Sequence, residues 1–243
     1  MTDAPIAPAR VEATAMPLTA HLAELRNRIL WSGLAIVVGT AIGFAFGDQI
    51  ILLLRAPLPA NVTLAQIDLT DGFAIKLQVA LVAGVILAMP VLLWHLWRFI
   101  APGLTATERR AVLPWIPIAL AFFAVGVTVA YVVLPFAVTF LLSFLQVGVT
   151  PLINIRSYFD FVSSLFLAFG ILMEFPILLI GLSRVGIVTS ERLSRSRRLV
   201  ILVIAIFSAV ATPGGDLVSP FVLGVTLYVL FEGTILFIRR TGR

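Results

Sequence analysis

From Ala111 to Ile155 the chain carries no Asp, Glu, Lys or Arg. A soluble domain needs charge along its surface, and a run this long cannot hide all of its residues in one core. The run needs lipid as solvent for at least part of its length. Composition agrees: 60% of the 243 residues are hydrophobic and 12% are charged. Soluble domains sit nearer roughly half and a quarter.

Other apolar runs divide the rest of the chain. Ile29–Gly47 and Leu77–Trp97 lack charge, Phe159–Ser183 is interrupted only by Asp160 and Glu174, and Leu199–Ala211 and Leu217–Ile238 follow. The long neutral stretch holds either one span or two, with Pro135 as the divider. The residues after it, Phe136–Val147, number about a dozen, short of the ~20 that a helical crossing takes.

Arginine and lysine placement arbitrates. With six spans, 14 of the 17 basic residues fall on the side of the N-terminus, and only Arg55, Lys76 and Arg156 fall on the other. A seventh span would change that split to 7 against 10. The expectation is an all-α polytopic membrane protein with six transmembrane helices and both termini in the cytoplasm. It forms one membrane domain over residues 1–243, with spans at about 29–47, 77–97, 111–133, 159–183, 199–211 and 217–238. Phe136–Val147 is expected as an outer interfacial helix, and residues 1–17 as a polar tail. That tail has no apolar core of its own and does not read as a cleaved signal peptide. Leu199–Ala211 is short: at ~1.5 Å per residue it covers about 20 Å of a ~30 Å core.

Several functions are disfavoured. No cysteine is present, which removes disulfides and thiolate metal sites. His21 and His95 lack a carboxylate cluster at ligand spacing, so no metal and no cofactor is expected. The basic clusters flank apolar runs, and no nucleic-acid-binding motif accompanies them. No phosphate-binding loop, Ser/His/Asp set or His-Glu-x-x-His motif appears, so an enzyme is not expected.

Glu174 stands out from the residues alone. A carboxylate near the middle of a span costs several kcal/mol if ionised, roughly 2.5–3.5 on insertion scales. It must face protein or water, or stand protonated. Asp160, Ser163, Leu167, Gly170 and Glu174 recur at helical spacing and make one polar or small face. Pro176 is placed to kink that helix. The opposing explanation is a structural carboxylate bonded to a neighbouring helix.

Leu18, Leu22, Leu25 and Ile29 form an apolar stripe, so the lead-in to the first span reads as an amphipathic helix at the membrane surface. Glu24 and Arg28 form an i,i+4 pair on it. After the second span, Pro102-Gly103 marks a turn, and Thr105 with Glu108 fits a capping box. Glu24, Glu108 and Glu191 are the acids among many cytoplasmic arginines. Paired carboxylates in such a surface make a site for guanidinium groups. Glu232, in the last span, either snorkels or pairs with Arg239.

The order of these elements resembles the TatC family from about Leu18 to Glu232. The matching pieces are His21-Leu22-x-Glu24-Leu25-Arg26-x-Arg28, Ala56-Pro57-Leu58, Pro90, Trp97-x-Phe99-Ile100-Ala101-Pro102-Gly103-Leu104, and Glu108-Arg109-Arg110. Tyr131, Phe169-Gly170 through Phe175-Pro176, Thr212-Pro213 with Asp216, and Tyr228 with Phe231-Glu232 complete the pattern. Departures are Gly214-Gly215 inside the last turn, Pro220 and Thr226.

The resemblance implies a concave, glove-like bundle in a bacterial inner membrane. It implies recognition of twin-arginine signal peptides of folded cargo through Glu24 and Glu108, with Arg26, Phe99 and Arg109 beside them. It implies an intramembrane polar site at Glu174, Gly170 and Ser163. Contacts to TatA- and TatB-like single-span partners are implied at Tyr131, Thr212, Asp216, Tyr228 and Glu232. Transport would be driven by the proton-motive force, and a homo-oligomer is compatible with it. Two other functions compete on the residues alone: a proton-coupled solute transporter using Glu174, and an intramembrane enzyme.

Overall fold

The computed structural model describes residues 18–59, 62–103, 105, 109–110, 113–144, 152–184, 186, 188–211 and 217–240. Helix α1 (Leu18–Ala45) runs antiparallel to α3 (Asp71–Ile100), and the two share the most extensive contact in the molecule. Small residues allow it. A Cβ added at Gly39 would lie 2.6 Å from the Gly84 carbonyl oxygen, and one at Gly43 would lie 2.8 Å from that of Ala80. Without a hydrophobic drive between helices in lipid, close backbone approach of this kind is what holds them. The lead-in residues form no separate surface helix: α1 is continuous from Leu18.

Phe46 separates α1 from α2 (Gly47–Arg55). Strand β1 (Thr63–Ala65) follows and pairs in parallel with β2 (Leu152–Asn154), Thr63 opposite Leu152. This two-stranded clasp departs from the all-helical expectation. It is stapled by side chains. Asp71, fully buried, lies 3.8 Å from Arg156, and the Tyr158 hydroxyl donates to the Leu54 carbonyl at 2.6 Å. Lys76 pairs with Asp48 at 2.9 Å.

Helix α4 (Trp115–Leu142) passes through Pro135 without a break. The expected division there is corrected: Phe136–Leu142 continues the same helix, while residues 145–147 lie outside the described residues. Proline removes one amide donor, and in lipid the backbone has no water to turn to, so the helix persists around it. The Thr139 hydroxyl donates to the Pro135 carbonyl at 2.7 Å.

The expected span 159–183 is two helices, α5 (Ile155–Leu172) and α6 (Phe175–Arg184), with a turn at Met173–Glu174. Pro176 has no N–H for the Leu172 carbonyl, which ends the ladder there. A short α7 (Ser190–Arg195) leads into α8 (Arg197–Ala211) and α9 (Val218–Arg240). Pro90 lies inside α3 without ending it.

The core gathers around α5. Phe159, Leu165, Phe169 and Met173 are fully buried against Leu134 and Ala137 of α4, Val79 of α3, and Leu223 and Phe231 of α9. Among the described residues, five helical segments are long and apolar enough to cross a membrane: His21–Ala45, Asp71–Gly103, Trp115–Leu142, Ile155–Ser183 (α5 with most of α6) and Val218–Arg240. A further apolar helix, α8, has 15 residues, which is about 22 Å of rise. The chain is a multi-pass membrane protein.

Candidate functional site

The antiparallel α1–α3 pair brings the start of α1 beside the end of α3. There His21 stacks on Phe99, with ring centroids 4.4 Å apart and planes within 15°. One turn along α1, Arg28 Nη2 donates to Glu24 Oε1 at 2.8 Å. Below this pair a cavity of about 330 Å³ opens between the helices, lined by Leu25, Arg28, Ser32, Leu92, His95 and Phe99 among others. Its walls are chiefly apolar. Arg28 Nε and His95 Nδ1 are buried there with no hydrogen-bond partner among the described residues. Beyond α3, the Arg109 guanidinium lies 5.5 Å from the centre of the Trp97 ring, a cation–π contact.

The structure thus groups Glu24 with Phe99 at one end of the hairpin. Arg26 is exposed, two residues from Glu24 and so on another face of α1. Glu108 lies outside the described residues. His21, Arg28 and Trp97 extend the group. Only the antiparallel pairing of two distant helices reveals the His21–Phe99 contact, and no local sequence pattern carries it.

A model of the family described as "Sec-independent protein translocase protein (TatC)" matches residues 20–225. The chain belongs to the TatC family. Relatives bearing that name agree throughout. The protein of Carboxydothermus hydrogenoformans is 35% identical over 90% of this chain and 91% of its own. That of Deinococcus radiodurans is 38% identical over 93% and 86%. A crystal structure titled a twin arginine translocase receptor, TatC, in the detergent DDM superposes with a TM-score of 0.80. It is 34% identical and covers 90% of this chain and 99% of that one.

Within this TatC-family fold, Glu174 sits at the α5–α6 turn, part-buried, and its Oε1 has no hydrogen-bond partner among the described residues. Ser163 is buried. Gly170 faces α4: a Cβ there would lie 2.8 Å from the Phe123 ring, so its smallness serves packing. Asp160, on the same stripe, is exposed.

Glu232 does not pair with Arg239. Its carboxylate lies 2.8 Å from Arg197 at the start of α8, and the Tyr228 hydroxyl donates to Oε1 at 3.2 Å. Arg239 instead donates to Ser194 Oγ at 2.7 Å. The rise of α9 explains the choice, since Arg239 is about two turns beyond Glu232, past the level of α8 and beside α7. Tyr131 is part-buried against the core. Thr212 and Asp216 lie outside the described residues.

Proposed function

We propose that this chain is the receptor and scaffold subunit of a twin-arginine translocase in a bacterial cytoplasmic membrane. It recognises the paired arginines of signal peptides on folded cargo, at the end where α1 begins and α3 ends. It assembles with TatA- and TatB-like single-span proteins for export driven by the proton-motive force. The observation that carries this reading is the Glu24 carboxylate, bonded to Arg28 of the apolar cavity and one turn along α1 from His21, which stacks on Phe99, in a chain like a structure titled a receptor. A carboxylate with two oxygens accepts more than one guanidinium hydrogen bond, so a resident Arg28 leaves room for a second. Glu108 is the proposed second carboxylate.

The proposed topology has six spans with both termini cytoplasmic. The parallel β1–β2 pairing supports it, because it keeps the chain on one side of the membrane at Thr63 and at Leu152. The two intervening helices, α3 and α4, meet that parity, and a further crossing after Pro135 would break it. Helix α8 is the short crossing, with Arg197 and Arg198 snorkelling at its start. Tyr131, Thr212, Asp216, Tyr228 and Glu232 are the proposed partner contacts.

A precursor with paired arginines is expected to crosslink to probes at positions 24 and 108, and replacement of the pair by lysines to weaken this. Unchanged binding in the Glu24→Ala, Glu108→Ala double variant would remove the site. A second reading, a proton-coupled solute carrier, is favoured only by the unpartnered Glu174 Oε1. It requires solute uptake by vesicles holding this chain alone.

A further inference from the structure

We propose that the corner where α7, the start of α8 and the end of α9 meet is a binding site for an anionic phospholipid. Its phosphate sits among the arginines, and its acyl chains lie along α8 and α9.

Three elements bring the charge together. Arg192 and Arg195 lie on α7, Arg198 on α8, and Arg239 and Arg240 on α9, all exposed. The Arg239–Ser194 hydrogen bond ties the end of α9 to α7, and the Arg197–Glu232 pair ties α9, about two turns earlier, to the start of α8. These contacts fix the corner rather than leave it as a loose charged loop.

Charge there is poorly balanced. Glu232 is taken by Arg197. The other acid on these elements, Glu191, is exposed and forms no ion pair with Arg192, Arg195, Arg198 or Arg240 among the described residues. Guanidinium groups bind phosphate oxygens in bidentate fashion, and basic clusters at the ends of membrane helices attract anionic headgroups.

The wall beside the cluster identifies a lipid rather than free phosphate. Leu199 is 62% and Leu202 56% exposed on α8, and Leu236 is 52% exposed on α9. The ligand is therefore an amphiphile with an anionic head. The short α8 adds to this, since its rise is less than the bilayer core and its first residues lie within reach of headgroups.

Arginines also set topology, so the test separates a site from general surface charge. Purified full-length protein is mixed with equal amounts of phosphatidylglycerol and phosphatidylcholine in detergent, and retained lipid is counted by native mass spectrometry. The protein is expected to retain phosphatidylglycerol in preference. The Arg195→Gln, Arg198→Gln double variant is expected to lose that preference by about tenfold. The Arg98→Gln, Arg110→Gln variant, with the same charge removed elsewhere, is expected to keep it. Equal loss in both variants would reduce the effect to general charge and overturn the site. So would no preference in the unaltered protein, a readout that does not depend on either variant folding. Inorganic phosphate that displaces phosphatidylglycerol at equal concentration would also overturn it, by making phosphate rather than lipid the ligand.

Discussion

Arg28 Nη2 donates to Glu24 Oε1 at 2.8 Å, and the two side chains are 17% and 20% exposed. The carboxylate proposed to receive a peptide guanidinium thus already holds one. Within one helix such a pair contributes only about 0.3–0.5 kcal/mol. A charge-assisted bond to a ligand is worth roughly 1.5–3 kcal/mol. Glu24→Gln is therefore expected to weaken binding of a paired-arginine peptide by about tenfold or more, while thermal stability barely moves. Peptide titration by fluorescence anisotropy, alongside a melting curve, reads both. A melting loss with unchanged affinity would make Glu24 structural.

Tyr158 and Leu54 are both buried, and the hydroxyl of one donates to the carbonyl of the other across the clasp. Tyr158→Phe removes the donor and leaves a buried carbonyl acceptor without it, which costs about 1–3 kcal/mol. A lower melting temperature in detergent is expected, together with easier proteolysis around β1 and β2. Identical melting would show that the bond adds nothing to the clasp.

Gly39 and Gly33 lie on the same helix but in different surroundings. A Cβ at Gly39 meets the Gly84 backbone at 2.6 Å, whereas one at Gly33 meets nothing within 4 Å. Alanine is favoured over glycine in a helix by about 1 kcal/mol. Gly33→Ala should therefore be neutral or stabilising, and Gly39→Ala destabilising because α1 must move off α3. Equal melting shifts for the two would mean that the close approach is unimportant.

Much of the helical architecture was legible because lipid imposes a simple rule: apolar runs become helices. The runs at Leu77–Trp97 and Leu217–Ile238 correspond to α3 and α9 with a few residues added at most ends. Proline was harder to read. Pro135 interrupts nothing, whereas Pro176 follows a break at Met173–Glu174. The same residue type does both, since neighbouring packing decides whether a freed carbonyl is tolerated. The β1–β2 pair is only three residues per strand and joins segments far apart in sequence, so no local periodicity announces it. For the site, Glu24–Arg28 was visible at helical spacing. Glu232 was legible as needing a cation, but its partner was set by how α8 packs on α9.

That partner is itself testable. Arg197 and Glu232 approach to 2.8 Å with side chains 42% and 32% exposed. Screening limits such a pair to about 1 kcal/mol or less. Glu232→Arg alone places like charges together, and a modest fall in stability is expected. Adding Arg197→Glu reverses the pair and should recover most of that fall. A double variant no more stable than the sum of its singles would show that the two side chains do not interact.

The proposed topology makes a sharper demand. The chain has no cysteine, so single cysteines can be introduced without removing any native ones. Leu69, 96% exposed, precedes α3, and Leu152, 71% exposed, is in β2. Gly103 follows α3, and Ser190 begins α7. A membrane-impermeant maleimide added to intact cells should label Leu69→Cys and Leu152→Cys. Labelling of Gly103→Cys and Ser190→Cys should appear only after the membrane is opened. The decisive position is 190. With six spans it is shielded, because α5 and α6 together make one crossing after β2. With a crossing between Pro135 and Leu152, positions 152 and 190 would exchange sides, and Ser190→Cys would label in intact cells while Leu152→Cys would not. That exchange would also require the β1–β2 pairing to be absent from the membrane-embedded protein, since its two strands would then lie across the bilayer from one another.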